Sequence, residues 1–279
     1  MSTLYTNARF WSAGQEIFHD LLVKDSIILA TGEQTKEFTA ETTIDLNGAF
    51  VIPAFLDGHA HPIFAGREAA GPKINGINSI EEIKAQVKAF ALANPKIPWI
   101  IGGAYEAAII EGGDFDAKWL DEVVSDRPVV LHAVDHHTIW VNSKALEVAG
   151  ITSATKDPQG GTIARNSDGS AKGTLREPSA MALVLNHAPA NTFESDIAAI
   201  TYACAEYRKV GVIAAIDSWC EKDMARAYIE AAKTNQLTIA FNLSLLATPT
   251  TWSSDIDDFN EIREQCLELD NPSQLQANS

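Results

Sequence analysis

The chain has 279 residues, 46% of them hydrophobic, with 21 Lys and Arg against 37 Asp and Glu and a formal net charge of -16. That length and apolar content provide for one or two domains with a sizeable core, while the acidic balance repels phosphate backbones and anionic membrane surfaces and so argues against nucleic acid or membrane as partners. No apolar run reaches the roughly 18 residues of a membrane span, and Met1 to Phe10 lacks the basic start and apolar core of a secretory signal, so a cytoplasmic location is the expectation.

The first fifty or so residues read as short strands at Leu4 to Phe10, Leu21 to Lys24, Ser26 to Ala30, Thr43 to Asp45 and Phe50 to Ile52. Lys24-Asp25 lies between two apolar runs, and Asn47-Gly48 tolerates the positive φ angles of a type I′ hairpin turn. A small β module over residues 1–52 is predicted.

From Pro53 onward apolar runs alternate with helical periodicity, the rhythm of an α/β fold. Ser79-Ile80-Glu81-Glu82 has the form of a capping box, and Ile83, Val87 and Phe90 continue an apolar face until Asn94-Pro95. A second helix starts near Asn142 or Ser143 and ends at Gly150, and a hairpin pairs Thr162 to Asn166 with Thr174 to Glu177. The last third predicts a helix over Phe193 to Val210, a strand over Val212 to Asp217 and a helix over Glu221 to Asn235. A strand over Leu237 to Leu245 and a helix over Asp255 to Leu269 follow. Cys204, Cys220 and Cys266 are odd in number, widely spaced and without a C-x-x-C pattern, so they read as buried or spare thiols.

The segment with most chemical content is Val51-Ile52-Pro53-Ala54-Phe55-Leu56-Asp57-Gly58-His59-Ala60-His61-Pro62. Alternate residues of a strand share a face, so Asp57, His59 and His61 project together. Two imidazoles so placed can close on one metal ion, while Gly58 and Ala60 keep the opposite face small. The pattern alone is also met by two polar residues satisfied by backbone or water.

In its setting, after a β module and before α/β alternation, this strand resembles the amidohydrolase superfamily, and within it the amidohydrolase type 3 branch that includes N-substituted formamide deformylase. The long stretch after the His-x-His strand, Asp135 to Leu146, Gly173-Thr174-Leu175-Arg176-Glu177, and Gly211-Val212-Ile213 leading to Asp217 carry the same resemblance. It implies an α/β fold in which residues 53–279 form the first part of a (β/α)8 TIM-like barrel, preceded by a small β-sandwich module over 1–52 and interrupted by an insertion over about 63–190. It also implies a divalent metal, most simply zinc, and hydrolysis of a non-peptide carbon–nitrogen bond in a small amide, cyclic amide or N-substituted formamide.

By the same resemblance His59 and His61 are metal ligands, and Asp57 is a carboxylate behind them that holds a histidine tautomer or braces the strand end. His137, Trp140 and Asn142 match the pattern Asp-Gly-His-x-x-Trp-x-Asn and would lie in or near a substrate pocket, with Glu177 as a further pocket residue. Trp140 reads equally as a core aromatic, Asn142 as a helix cap and Glu177 as a solvated carboxylate. His136 stands where the pattern usually has Gly and reads as a loop residue; His132 reads as a core histidine.

Only three barrel strands are countable, and the chain is expected to stop where the fourth would begin, before the lysine, two further histidines and catalytic aspartate that the resemblance implies for later strands. No catalytic residue is therefore assigned within the 279 residues. A homo-oligomer or a missing C-terminal half is a partner to consider, and a non-catalytic module that binds a partner or itself through an open sheet edge is the competing reading.

Overall fold

The computed structural model describes residues 1–12 and 17–278, which form two compact units. The first comprises Met1–Leu56 with Gly211–Ile213, and the second Asp57–Val210 with Ala214–Ser279.

The first unit contains β1 (Ser2–Thr6), β2 (Arg9–Phe10), β3 (Leu21–Lys24), β4 (Ile27–Thr31), β5 (Thr42–Asp45) and β6 (Phe50–Val51), arranged as a four-stranded sheet β4-β3-β1-β5 and a pair β2-β6. The strand predicted over Leu4 to Phe10 is divided in two, because Asn7 turns the chain with φ +53°. Asp25 and Ser26 both take positive φ and close the β3–β4 hairpin, a conformation that short polar side chains tolerate better than most. Asn47 and Gly48 likewise have φ +50° and +76°, and the Ala49 N–H donates to the Leu46 carbonyl across the turn at 3.0 Å. The predicted hairpin there is nevertheless absent. β5 pairs with β1 and β6 with β2, both in parallel, so the turn carries the chain from one sheet to the other.

β7 (Phe55–Ala60) leads into the second unit, followed by α1 (Pro62–Ala69), α2 (Ile80–Ala93), β8 (Ile100–Tyr105), α3 (Ala117–Asp121), β9 (Val129–Ala133) and β10 (Thr138–Val141). Next come α4 (Ser143–Val148), β11 (Thr162–Arg165), β12 (Ala171–Arg176) and α5 (Glu177–Leu185). The chain closes with α6 (Phe193–Lys209), β13 (Val212–Cys220), α7 (Lys222–Lys233), β14 (Ala240–Leu245), α8 (Trp252–Leu267) and β15 (Leu275–Gln276). The class is α/β with mixed sheets.

A five-stranded sheet, β11-β12-β10-β9-β8, is buried on both faces. β8 and β9 are parallel and the other pairs antiparallel. The two-residue period of a strand sorts its side chains: Val129, Leu131, Ala133 and Trp140 pack with Ile83 and Val87 of α2 and Leu120 of α3. Val130, Ile139 and Val141 pack with Ala145 of α4 and Ala180 and Val184 of α5. Burial of each such Val, Leu or Ile side chain stabilises the unit by about 1.5–3 kcal/mol. Ser79 caps α2 by accepting the Glu82 N–H at 3.4 Å, one half of the predicted capping box, and Asn94 closes the helix as predicted.

The second sheet, β15-β14-β13-β7, contains the consecutive run β13-α7-β14-α8-β15, with β13, β14 and β15 pairing in parallel. Here the structure corrects the sequence reading, which ended the chain before a fourth strand. Leu275 pairs with Phe241 and Gln276 with Asn242, and Leu275 is fully buried. A two-residue strand is shorter than any periodicity and could not be seen after the polar run from Asn271.

α1 packs along α6, and the two backbones meet at Gly66, where a Cβ would lie 2.4 Å from the Ala199 carbonyl oxygen. Beside that contact, Arg67 grips Asp196 with two hydrogen bonds of 2.8 and 2.9 Å, the paired geometry that makes an arginine–carboxylate contact directional. Cys204, Cys220 and Cys266 are free and buried, as expected. Among the described residues no helix is long and apolar enough to cross a membrane.

Candidate metal centre

β7 ends at Ala60, and Pro62 at the first position of α1 starts the helix with a pre-set φ, leaving His61 at the junction. His59 lies on β7 and His61 one residue beyond it, with ring centroids 5.3 Å apart and planes at 83°. Both are exposed. Burial first, then the neighbouring His59 and His136 imidazoles, hold His61 below the usual histidine range. That favours the neutral ring, which is the form that ligates a cation. The spacing and the donor type fit a pair of ligands to one ion.

Asp57 acts on the backbone at this point. One carboxylate oxygen accepts the His59 main-chain N–H at 3.1 Å and the other the Tyr207 hydroxyl at 3.1 Å. Of the two roles expected for it, bracing the strand end is the one these bonds perform. His61 also lines an open cavity of about 820 Å³, together with Glu68, Lys73, Gly103, Tyr207 and Lys209.

A second group stands close by. One donor atom each from Glu68, His132 and His136 lies within 4.8 Å of the others, and among the described residues this is a three-donor set that includes neither His59 nor His61. Glu68 is on α1, His132 on β9 and His136 in the turn between β9 and β10. His136 Nδ1 is 3.5 Å from Glu68 Oε1. Burial pushes the Glu68 carboxyl up to about 7 and the His132 imidazole, with help from His136, down to about 4. Sequence reading left His132 in the core and His136 in a loop and did not single out Glu68. The three are brought together by packing between segments some sixty residues apart, and no local spacing records that.

The pocket residues inferred from the resemblance divide. His137 Nδ1 and Glu177 Oε2 are 3.0 Å apart, and the Glu177 N–H donates to the His137 carbonyl at 2.7 Å. The Glu177 carboxylate raises the His137 pKa, and both side chains are exposed. Trp140 and Asn142 lie elsewhere. Trp140 is completely buried among Tyr105, Phe115 and Trp119, and its indole N–H donates to the Asp116 carbonyl at 2.9 Å. Asn142, also completely buried, caps α4 by accepting the Ala145 N–H, accepts the Val129 N–H, and donates to the Val124 and Arg127 carbonyls. All of its hydrogen-bonding capacity is used within the core. The structure thus places both residues in the interior, in the plain roles of core aromatic and helix cap.

Against known proteins, the model of the amidohydrolase family matches residues 42–274. The chain is 36% identical over 173 residues to the protein YtcJ of Bacillus subtilis, covering 60% of this chain and 32% of that one. It is 29% identical over 272 residues to LONG AFTER FAR-RED 3 of Arabidopsis thaliana, covering 91% and 46%. It is 27% identical over 181 residues to N-substituted formamide deformylase of Arthrobacter pascens, covering 62% and 33%. Among solved structures, an uncharacterized metal-dependent hydrolase from Pyrococcus horikoshii shares the fold with a TM-score of 0.66 at 20% identity, over 99% of this chain and 53% of that one. The chain spans about half the length, or less, of the relatives it matches. With residues 42–274 matched and the His-x-His strand inside them, the chain belongs to the amidohydrolase family.

Proposed function

We propose that this chain supplies the first part of the active site of a metal-dependent hydrolase that cleaves a non-peptide carbon–nitrogen bond in a small amide, cyclic amide or N-substituted formamide. The observation that carries the reading is the pair His59 and His61, side by side at the end of β7 with one ring facing an 820 Å³ cavity. In this reading they hold a divalent ion, with zinc the simplest choice for an imidazole pair. Such an ion, when bound, lowers the pKa of water and polarises a scissile carbonyl.

The protein's own residues have separate tasks. Asp57 and Tyr207 fix the backbone that carries His59. The His137–Glu177 pair offers a hydrogen-bonding contact for the polar end of a substrate. In the proposed architecture β7, β13, β14 and β15 are the opening strands of a (β/α)8 barrel, residues 1–52 a β-sandwich module, and residues about 63–190 an insertion. The parallel β13-α7-β14-α8-β15 run supports the barrel. Two imidazoles are fewer than the three protein ligands usual for catalytic zinc, so in this reading catalysis requires further ligands of the kind carried by the longer relatives, of whose length this chain spans about half or less.

The test is zinc-dependent hydrolysis of an N-substituted formamide or a hydantoin by this chain co-expressed with the C-terminal half of a matching relative, followed by formate release or ring opening. Activity lost on chelation, restored by zinc and abolished in His59→Ala and His61→Ala supports the reading. Turnover that survives both substitutions rejects it.

A further inference from the structure

We infer that Glu68, His132 and His136 form a second cation site, distinct from the His59–His61 pair, that takes a divalent transition metal such as zinc. The donor atoms lie within 4.8 Å of one another. Two imidazoles and one carboxylate are a donor set that zinc accepts while keeping a further position open. Nitrogen donors disfavour the calcium and magnesium ions that oxygen cages select.

Three observations point to a ligand here. Glu68 Oε1 and His132 Nδ1 are buried with no hydrogen-bond partner, an arrangement that native interiors rarely leave uncompensated. One ion would satisfy both. The Glu68 carboxylate also rests against a gap kept clear by Gly103, where a Cβ would come within 2.6 Å of it. Finally, His136 holds φ +58°, a left-handed conformation that costs a non-glycine residue and that collects at functional sites. Glycine would occupy that turn without strain, yet the chain places an imidazole there, next to Glu68.

Glu68 also lines the cavity that His61 lines, so two ions would face one space.

Chelator-treated protein titrated with zinc against a chromophoric competitor tests the site. The wild type should take up two equivalents. Glu68→Gln and His136→Gly should each weaken one of them by about tenfold or more, the loss that even a residue behind the ligands can cause, and leave the other intact. The His59→Ala/His61→Ala double variant should lose the equivalent that those variants keep. His136→Gly relieves a left-handed φ and Glu68→Gln removes a buried charge, so neither should lower the melting temperature of the zinc-free chain, and weakened binding could not be ascribed to unfolding. Wild-type stoichiometry and affinity in both Glu68→Gln and His136→Gly would overturn the site, as would loss of both equivalents in either. Zinc uptake unchanged in the double variant alone would instead remove the His59–His61 reading and leave this one standing.

Discussion

Tyr207, near the end of α6, donates its hydroxyl to Asp57 on β7 at 3.1 Å, 150 residues away in the chain, and the other oxygen of the same carboxylate holds the His59 N–H. Burial, then the Asp57 carboxylate, keeps the phenol protonated well above its usual range, so it is a permanent donor. The first imidazole is thereby positioned through its backbone.

Tyr207→Phe should therefore cost about 0.5–1.5 kcal/mol of stability, the net worth of one hydrogen bond. It should also lower zinc affinity at the His59–His61 pair by roughly 10–100-fold, as loss of a supporting partner does. Urea unfolding and a zinc titration read the two effects. A stability loss without any change in affinity would show that Asp57 needs no help from α6.

The Arg67–Asp196 pair is the polar lock between α1 and α6, with side chains 19% and 7% exposed. Asp196→Ala leaves the arginine charge without its partner and should cost about 3–5 kcal/mol. The urea midpoint should fall accordingly, and a shift below the error of the measurement would mean that the Gly66–Ala199 contact alone holds the helices.

Asp217 on β13 is 1% exposed and accepts the Tyr228 hydroxyl at 2.9 Å and the Trp219 N–H at 3.2 Å. Burial outweighs these bonds and raises its pKa from 3.8 to about 6. A carboxyl raised on folding contributes stability that is complete below the unfolded pKa and is lost as pH rises through the folded one. Asp217→Asn removes that dependence. Relative to wild type, the variant should gain up to about 3 kcal/mol between roughly pH 4 and pH 7, measured by denaturant unfolding across that range. A difference that stays flat with pH would contradict the assignment.

His137 and Glu177 offer a spectroscopic check. The carboxylate 3.0 Å away raises the imidazole pKa above its ordinary 6.5. Glu177→Gln should bring it back down, visible in an NMR titration of the ring protons, while an unmoved midpoint would show that the pair does not persist in solution.

Much of the architecture was legible where a local physical cause acts. Ser79, Asn142 and Gly150 mark helix ends through capping and positive φ, and the hairpin of β11 and β12 follows from Gly160-Gly161 and Asp168-Gly169 around alternating runs. Strand alternation predicts His59 and His61 as neighbours, and their rings lie 5.3 Å apart although His61 stands one residue beyond β7. What escaped is non-local. Asn47-Gly48 predicts a turn correctly, but not that its flanking strands choose different partners, because pairing is decided by β1 and β2. The capping box of α6 uses Thr192 with Ser195 in place of the usual Glu or Gln. Glu68, His132 and His136 converge only once α1, β9 and the following turn have packed. Trp140 and Asn142 show the reverse error: a motif residue need not touch a ligand, and here both serve the core that presents His137 and Glu177.

The most direct test of the account is a zinc-soaked crystal examined by anomalous diffraction at the zinc edge. A peak bonded to nitrogens of both His59 and His61, at the roughly 2.0–2.1 Å of zinc–imidazole bonds, is the predicted result. Rings turned away from each other with no peak between them would contradict it.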